Sequence, residues 1–145
     1  MTMRYVFDFV SPYAWVGWRP ARALAERHGL ELTPEPVLFA GLLDAHGNVG
    51  PAEVPAKRAY IFKDAYRKAR ARGLPPLVLP PAHPFNPLVA LRAVTAAPSI
   101  ALIDALFAAW YRTPRRRSEL LEYTKAPLAV RAREAFVTWA ASADE

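Results

Sequence analysis

Residues 4–19 read RYVFDFVSPYAWVGWR, and the fold turns on how this stretch is parsed. Residues 5–10 are mostly aromatic and β-branched, the composition of a buried strand. The run stops at Ser11-Pro12. A serine hydroxyl can accept a bond from an unpaired amide of a helix's first turn, and proline suits the first helical position, where its missing N–H costs nothing. Residues 13–29, YAWVGWRPARALAERHG, then read as a helix. The expectation is strand, tight turn, helix, with Ser11 at the helix's positive end. Free amides point outward there and the macrodipole adds about half a charge, so an anion is favoured. A second reading, Ser11-Pro12 as a helix cap and nothing more, stays open at this stage.

Working outward, Gly29 suits the position just past a helix end. Residues 30–33, LELT, read as a second strand that continues to about residue 37 past Pro34 and Pro36, which suggests an edge or irregular strand. Strand, helix and strand in this order imply a parallel βαβ unit. Residues 39–45 look like a short helical turn, and residues 46–55, HGNVGPAEVP, are a loop long enough to bind something. Pro55 opens a long helix to about residue 72, closed by Gly73, with Tyr60, Asp64 and Arg67 on one face. Lys57 lies in its first turn, where the dipole disfavours a cation, so some other role should recommend it. Residues 74–87 form a proline-rich connection. Residues 88–97 and about 98–112 read as helices, the second with a broad apolar surface (Ile100, Leu102, Ile103, Leu106, Phe107, Trp110) that should be buried. Residues 115–145 read as one or two further helices split near Pro127, and no convincing strand follows residue 40.

Composition narrows the chemistry. The chain has 145 residues, 53% of them apolar, enough for one real core. No cysteine is present, which excludes disulfides, thiolate zinc sites and a protein thiol nucleophile. The three histidines, His28, His46 and His83, show no metal-ligand spacing, so no metal is expected. No segment is apolar for long enough to span a membrane and the N-terminus lacks a signal-peptide pattern, from which cytoplasmic residence is expected. Net charge is +6, but only residues 115–117 form a basic run; a nucleic-acid partner ranks last.

Three segments in order, FDFVSPYAW (7–15), GNVGPAEVPAK with the following RAYIFKDAYRKAR (47–70) and AHPFNPLVALRA (82–93), resemble 2-hydroxychromene-2-carboxylate isomerases and kappa-class glutathione transferases. The resemblance covers roughly residues 4–110. It implies a thioredoxin-like α/β fold with a helical domain inserted between the βαβ half and the C-terminal half of the sheet. Enzymes of the thioredoxin type place the first cysteine of a C-x-x-C pair at the start of this helix; the four positions here are Ser11, Pro12, Tyr13 and Ala14. The resemblance implies glutathione as cofactor, with Ser11 hydrogen-bonding its sulfur, Asn48 contacting it from the loop and Lys57 contacting a carboxylate. The residues are chemically apt, because a chain without thiols must take its thiol chemistry from a ligand. A hydroxyl at a helix start stabilises a thiolate without forming a disulfide with it. Tyr13, Trp15 and Phe85 are candidate walls of an aromatic-substrate pocket.

The end of the chain departs from the family. Members continue with a Val-Pro pair whose cis proline faces the active-site helix, then a β-hairpin and a last helix, with an acidic residue holding the γ-glutamyl end. Residues 113–145 carry no such pair, so the C-terminal hairpin half is expected to be missing, as in a truncated, frame-shifted or degenerate member. The expected organisation is a βαβ half over residues 1–38, an inserted helical lobe over 39–112 and divergent C-terminal helices over 113–145 on one globular unit. The expected function is a glutathione-dependent isomerase of 2-hydroxychromene-2-carboxylate type, or a related transferase, acting on a small aromatic substrate. The alternative is a catalytically inactive member serving as an interaction module. An exposed sheet edge would favour a homodimer.

Overall fold

The computed structural model describes residues 1–80 and 83–112. The sequence expectations for residues 113–145, further helices and a missing hairpin, lie outside the described residues. Strand β1 (Thr2–Phe7) is followed by helix α1 (Pro12–Arg27) and strand β2 (Glu31–Pro36). The strands pair in parallel, with Thr2 opposite Glu31 and Phe7 opposite Pro36. Both prolines of β2 sit inside this ladder. Beyond Pro36 every regular element among the described residues is a helix: α2 (Phe39–Ala45), α3 (Pro55–Ala71), α4 (Leu88–Ala96) and α5 (Ile100–Tyr111).

The first strand is displaced from its expected position. It starts at Thr2, and its pairing is extended by the Glu31 amide donating to the Met1 carbonyl at 3.2 Å. It ends at Phe7 instead of reaching residue 10, because the next residue turns the chain: an Asp8 carboxylate oxygen accepts the Val10 amide at 3.0 Å and its carbonyl accepts the Ser11 amide at 3.1 Å. A short polar side chain bonding its own backbone two residues on offers the chain a turn in place of the ladder. Helix α1 then starts as read, with Ser11 as N-cap and Pro12 as first residue. It closes at Gly29, whose φ of 62° suits a residue without Cβ.

The core forms where β1, α1 and α5 meet. Tyr5 and Phe7 point inward from the strand, and the Tyr5 hydroxyl donates to the Ala14 carbonyl on α1 at 2.7 Å. Only glycine permits that approach at position 17, since a Cβ there would lie 2.7 Å from the Tyr5 oxygen. Helix α5 buries Leu102, Ile103, Leu106, Phe107, Trp110 and Tyr111. Its Ile100, expected inside, is 41% exposed, since the first turn projects beyond the packed face. Asp104 of α5 accepts the Trp18 indole N–H at 2.7 Å and pairs with Arg22 at 2.6 Å, tying the helix to α1. Tyr111 closes the far end: its hydroxyl donates to the Phe9 carbonyl at 2.8 Å and its own carbonyl accepts the Val78 amide at 2.8 Å.

Candidate functional site

The turn between β1 and α1 is held from several sides. The second Asp8 carboxylate oxygen accepts the Phe39 amide at the start of α2, at 2.8 Å. Asp8 is 3% exposed, the single buried charged residue among those described. Burial pushes its carboxyl up, and the amides of Val10 and Phe39 work in the opposite direction by bonding the charged form. From across the turn, His83 in the proline-rich connection places Nε2 2.7 Å from the Val10 carbonyl. A carbonyl only accepts, so Nε2 carries the proton and Nδ1 the lone pair. Nδ1 is buried and, among the described residues, has no hydrogen-bond partner. Burial lowers the His83 pKa first of all; the Val10 bond opposes this and the nearby Arg58 adds to it.

That shift gives an expected pH dependence. Unfolded histidine takes up a proton as pH falls below about 6.5, while the folded imidazole resists it. The stability contributed by His83 is therefore present above that pH and lost as pH falls through the folded value. The His83→Gln variant keeps an amide donor for Val10 and removes the titration. The lead of the native chain over this variant in urea midpoint should shrink between about pH 7 and about pH 5. Asp8 titrates in both proteins and cancels in the difference. A lead that stays constant with pH would show that His83 titrates as it does in the unfolded chain.

A cavity of about 460 Å³ opens at this turn. The cap Ser11, Tyr13 from α1, Phe39 from α2, Ile61 from α3, and His83 with Phe85 contribute to its wall. Phe85 stacks on Trp110 with ring centroids 3.9 Å apart and planes 12° from parallel, so this wall is backed by α5. His83 stands edge-on to Phe62 at 4.9 Å and to Phe85 at 6.0 Å. The size is that of a small-molecule site. The Ser11 oxygen accepts the Ala14 amide at 3.3 Å, which leaves the hydroxyl proton free to donate. The Tyr13 hydroxyl donates to Asp64 at 2.7 Å, and Lys68 pairs with the same carboxylate while lying 5.3 Å over the Tyr13 ring. Burial, and then Asp64, push the Tyr13 phenol up to about 12, so it stays protonated and committed to Asp64.

The structure thus brings Ser11, Tyr13 and Phe85 together on one wall. Asn48, Lys57 and Trp15 are not on it. Trp15 is buried against Tyr111 of α5, ring centroids 6.0 Å apart, and belongs to the core. Asn48 is exposed, its backbone N–H donating to the Leu43 carbonyl at 2.8 Å. Lys57 is exposed in the first turn of α3. The loop contributes residues 50–53 to the wall instead. Asp8 and His83 were not legible as site residues: the first sits inside an apparent strand, the second among prolines. Among the described residues no group of His, Cys, Asp and Glu could hold a metal, and no helix is long and apolar enough to cross a membrane.

Comparison with known proteins agrees with this architecture. The chain is 36% identical to rat (Rattus norvegicus) glutathione S-transferase kappa 1 over 58 residues, 40% of this chain and 26% of that protein. It is 33% identical to a Pseudomonas putida 2-hydroxychromene-2-carboxylate isomerase over 82 residues, 55% of this chain and 40% of that protein. The matches therefore span well under half the length of these curated relatives. The solved structure of a 2-hydroxychromene-2-carboxylate isomerase superposes with a TM-score of 0.52 at 21% identity, covering 99% of this chain and 79% of that one, a likeness of fold. The profile of the DSBA-like thioredoxin domain matches residues 2–122, and with the β1-α1-β2 unit and its Ser-Pro helix start in place, the chain belongs to that family.

Proposed function

We propose that the chain is a glutathione-dependent isomerase of the 2-hydroxychromene-2-carboxylate type, or a related glutathione transferase, with Ser11 as its catalytic residue. The observation that carries this reading is a free hydroxyl proton at a helix N-terminus, on an apolar cavity wall, in a chain without cysteine. The residues suit a thiolate ligand: the hydroxyl and the helix end favour negative charge, and no protein thiol competes for the sulfur. When bound, the tripeptide's thiol supplies a nucleophile that adds to an unsaturated carbon of the substrate and later leaves, so no oxidant or reductant is consumed. Ser11 donates its O–H to the sulfur. Asp8 and His83 fix the turn that aims it. Phe39, Ile61 and Phe85 exclude water and accept an aromatic ring. Tyr13, kept protonated by burial and then by Asp64, acts as wall and not as base.

Asn48 and Lys57 flank the wall residues 50–53 in sequence and are proposed to contact the polar ends of the tripeptide outside the apolar cavity. The same reading divides the chain into a βαβ half to residue 38 and a helical lobe over 39–112, and it carries a cytoplasmic homodimer as its setting. The test is ligand-linked stability. With about 10 mM glutathione and a Kd of about 1 mM, linkage predicts a gain of about 1.4 kcal/mol, or several degrees in Tm. An analogue with methyl in place of the thiol should give less. No change in Tm at tens of millimolar would favour the interaction-module reading.

A further inference from the structure

We propose that Arg58 receives the carboxylate of a ligand whose apolar body fills the Ser11 cavity. The inference deepens the functional reading above and rests on it for the cavity being the substrate site. Two observations lead to it. The charged side chains on the cavity wall are Asp8 and Glu53, both acids, and no lysine or arginine lines it among the described residues. A carboxylate inside therefore finds no cation on the wall to pair with. A second hollow of about 560 Å³ adjoins it, sharing Ala52, Glu53 and Pro84 as walls and lined also by Pro55, Arg58, Ala59 and Phe62.

Arg58 is prepared for an anion. Its Nη2 donates to the His83 carbonyl at 3.0 Å, which holds the guanidinium beside Pro84. A guanidinium has five N–H donors in a rigid fork, and one such bond leaves donors free for an oxygen pair. The ion pairs among the described residues are Arg4–Glu35, Arg22–Asp104 and Lys68–Asp64, so Arg58 has no acidic partner there. The acid on the shared wall, Glu53, bonds the Gly50 amide at 3.1 Å instead. The arrangement suits a ligand with two ends: the cavity wall offers an apolar body no cation, and Arg58 in the adjoining hollow offers one to its carboxylate. The ligand class is an aromatic or otherwise apolar carboxylate. The carboxylate comes either from the substrate or from glutathione itself.

The experiment is equilibrium binding by calorimetry with probes that separate these sources. The first pair is 2-naphthoate and its neutral amide, without glutathione; the second is glutathione and its diester. Arg58→Gln should weaken a carboxylate probe by up to about fivefold, the range of one exposed ion pair, and leave the neutral partner unchanged. Arg58→Lys should restore part of the loss. Glu53→Gln, which can still accept the Gly50 amide, should tighten the same carboxylate. The neutral probes also report whether the cavity survives loss of the His83 carbonyl bond. An effect confined to naphthoate assigns Arg58 to substrate, and one confined to glutathione assigns it to the tripeptide. Equal effects of Arg58→Gln on charged and neutral probes, or none on either carboxylate, would overturn the inference. Glutathione binding with no Arg58 effect on either carboxylate removes the inference and leaves the functional reading intact. Naphthoate binding that needs Arg58, with no glutathione binding at all, does the reverse.

Discussion

Replacing Phe107 with alanine should cost about 3–5 kcal/mol of stability, the usual range for a large aromatic removed from a core. Phe107 is 1% exposed and lies where all three core elements meet. Its ring centroid is 5.7 Å from that of Phe7, 4.8 Å from Phe9, 6.4 Å from Trp18 and 6.5 Å from Tyr111. The first two belong to β1 and the chain just after it, the third to α1 and the last to α5. Nothing nearby can collapse into the space without moving a strand or a helix, so the cavity cost adds to the lost transfer energy. In a domain of marginal stability this is a large fraction of the total, and Tm should fall by roughly 10–20 °C. Ile100 on the same helix provides the control. At 41% exposed, its change to alanine should stay within about 0.5 kcal/mol. Similar losses at the two positions, read from urea midpoints, would show that α5 does not pack through the face described here. The effect should reach the site as well, because Phe9 is followed directly by Val10 and Ser11.

What the sequence made legible and what it hid follow one physical division. Ser11-Pro12 and Gly29 could be read as the ends of α1 because capping depends on neighbours a few residues away. The Ser11 oxygen bonds the Ala14 amide, three positions on. The end of β1 could not be read, since Asp8 stops the strand partly by holding the Phe39 amide, 31 residues downstream. The residue type suggested a turn only once its partners were known. His83 was hidden for the same reason: its bond to Val10 spans 73 residues, and its setting among prolines resembles a plain connection. Asn48 and Lys57 show a further limit. The family resemblance implied that their loop lies beside Ser11, and residues 50–53 of that loop do line the cavity, but a resemblance does not say which side of a loop faces inward. Trp15 makes the same point on a helix. Tyr13 and Trp15 are two residues apart and so point to different faces, one toward the cavity and the other into the core.

Ser11→Ala should lower glutathione-dependent turnover by about 10²–10³-fold, the effect of removing one preorganised donor from a developing anion. The substitution removes two interactions that can be measured apart. One is the cap on α1, a 3.3 Å bond from the Ala14 amide whose loss should cost about 0.5–2 kcal/mol of stability. The length of that bond puts the expected loss toward the lower end. The other is the hydroxyl donor on the cavity wall. If Ser11 were only a cap, the variant would be less stable but would turn over normally once folded. If the hydroxyl stabilises a thiolate, kcat falls and the alkaline pH needed for turnover rises, because less of the thiol is ionised at a given pH. KM for an aromatic substrate should change little, since Phe39, Ile61 and Phe85 still form its wall. Ser11→Thr retains the hydroxyl and the capping oxygen and should recover most of the rate. A loss under about tenfold for the alanine variant, with an unmoved pH profile, would return Ser11 to the role of a helix cap.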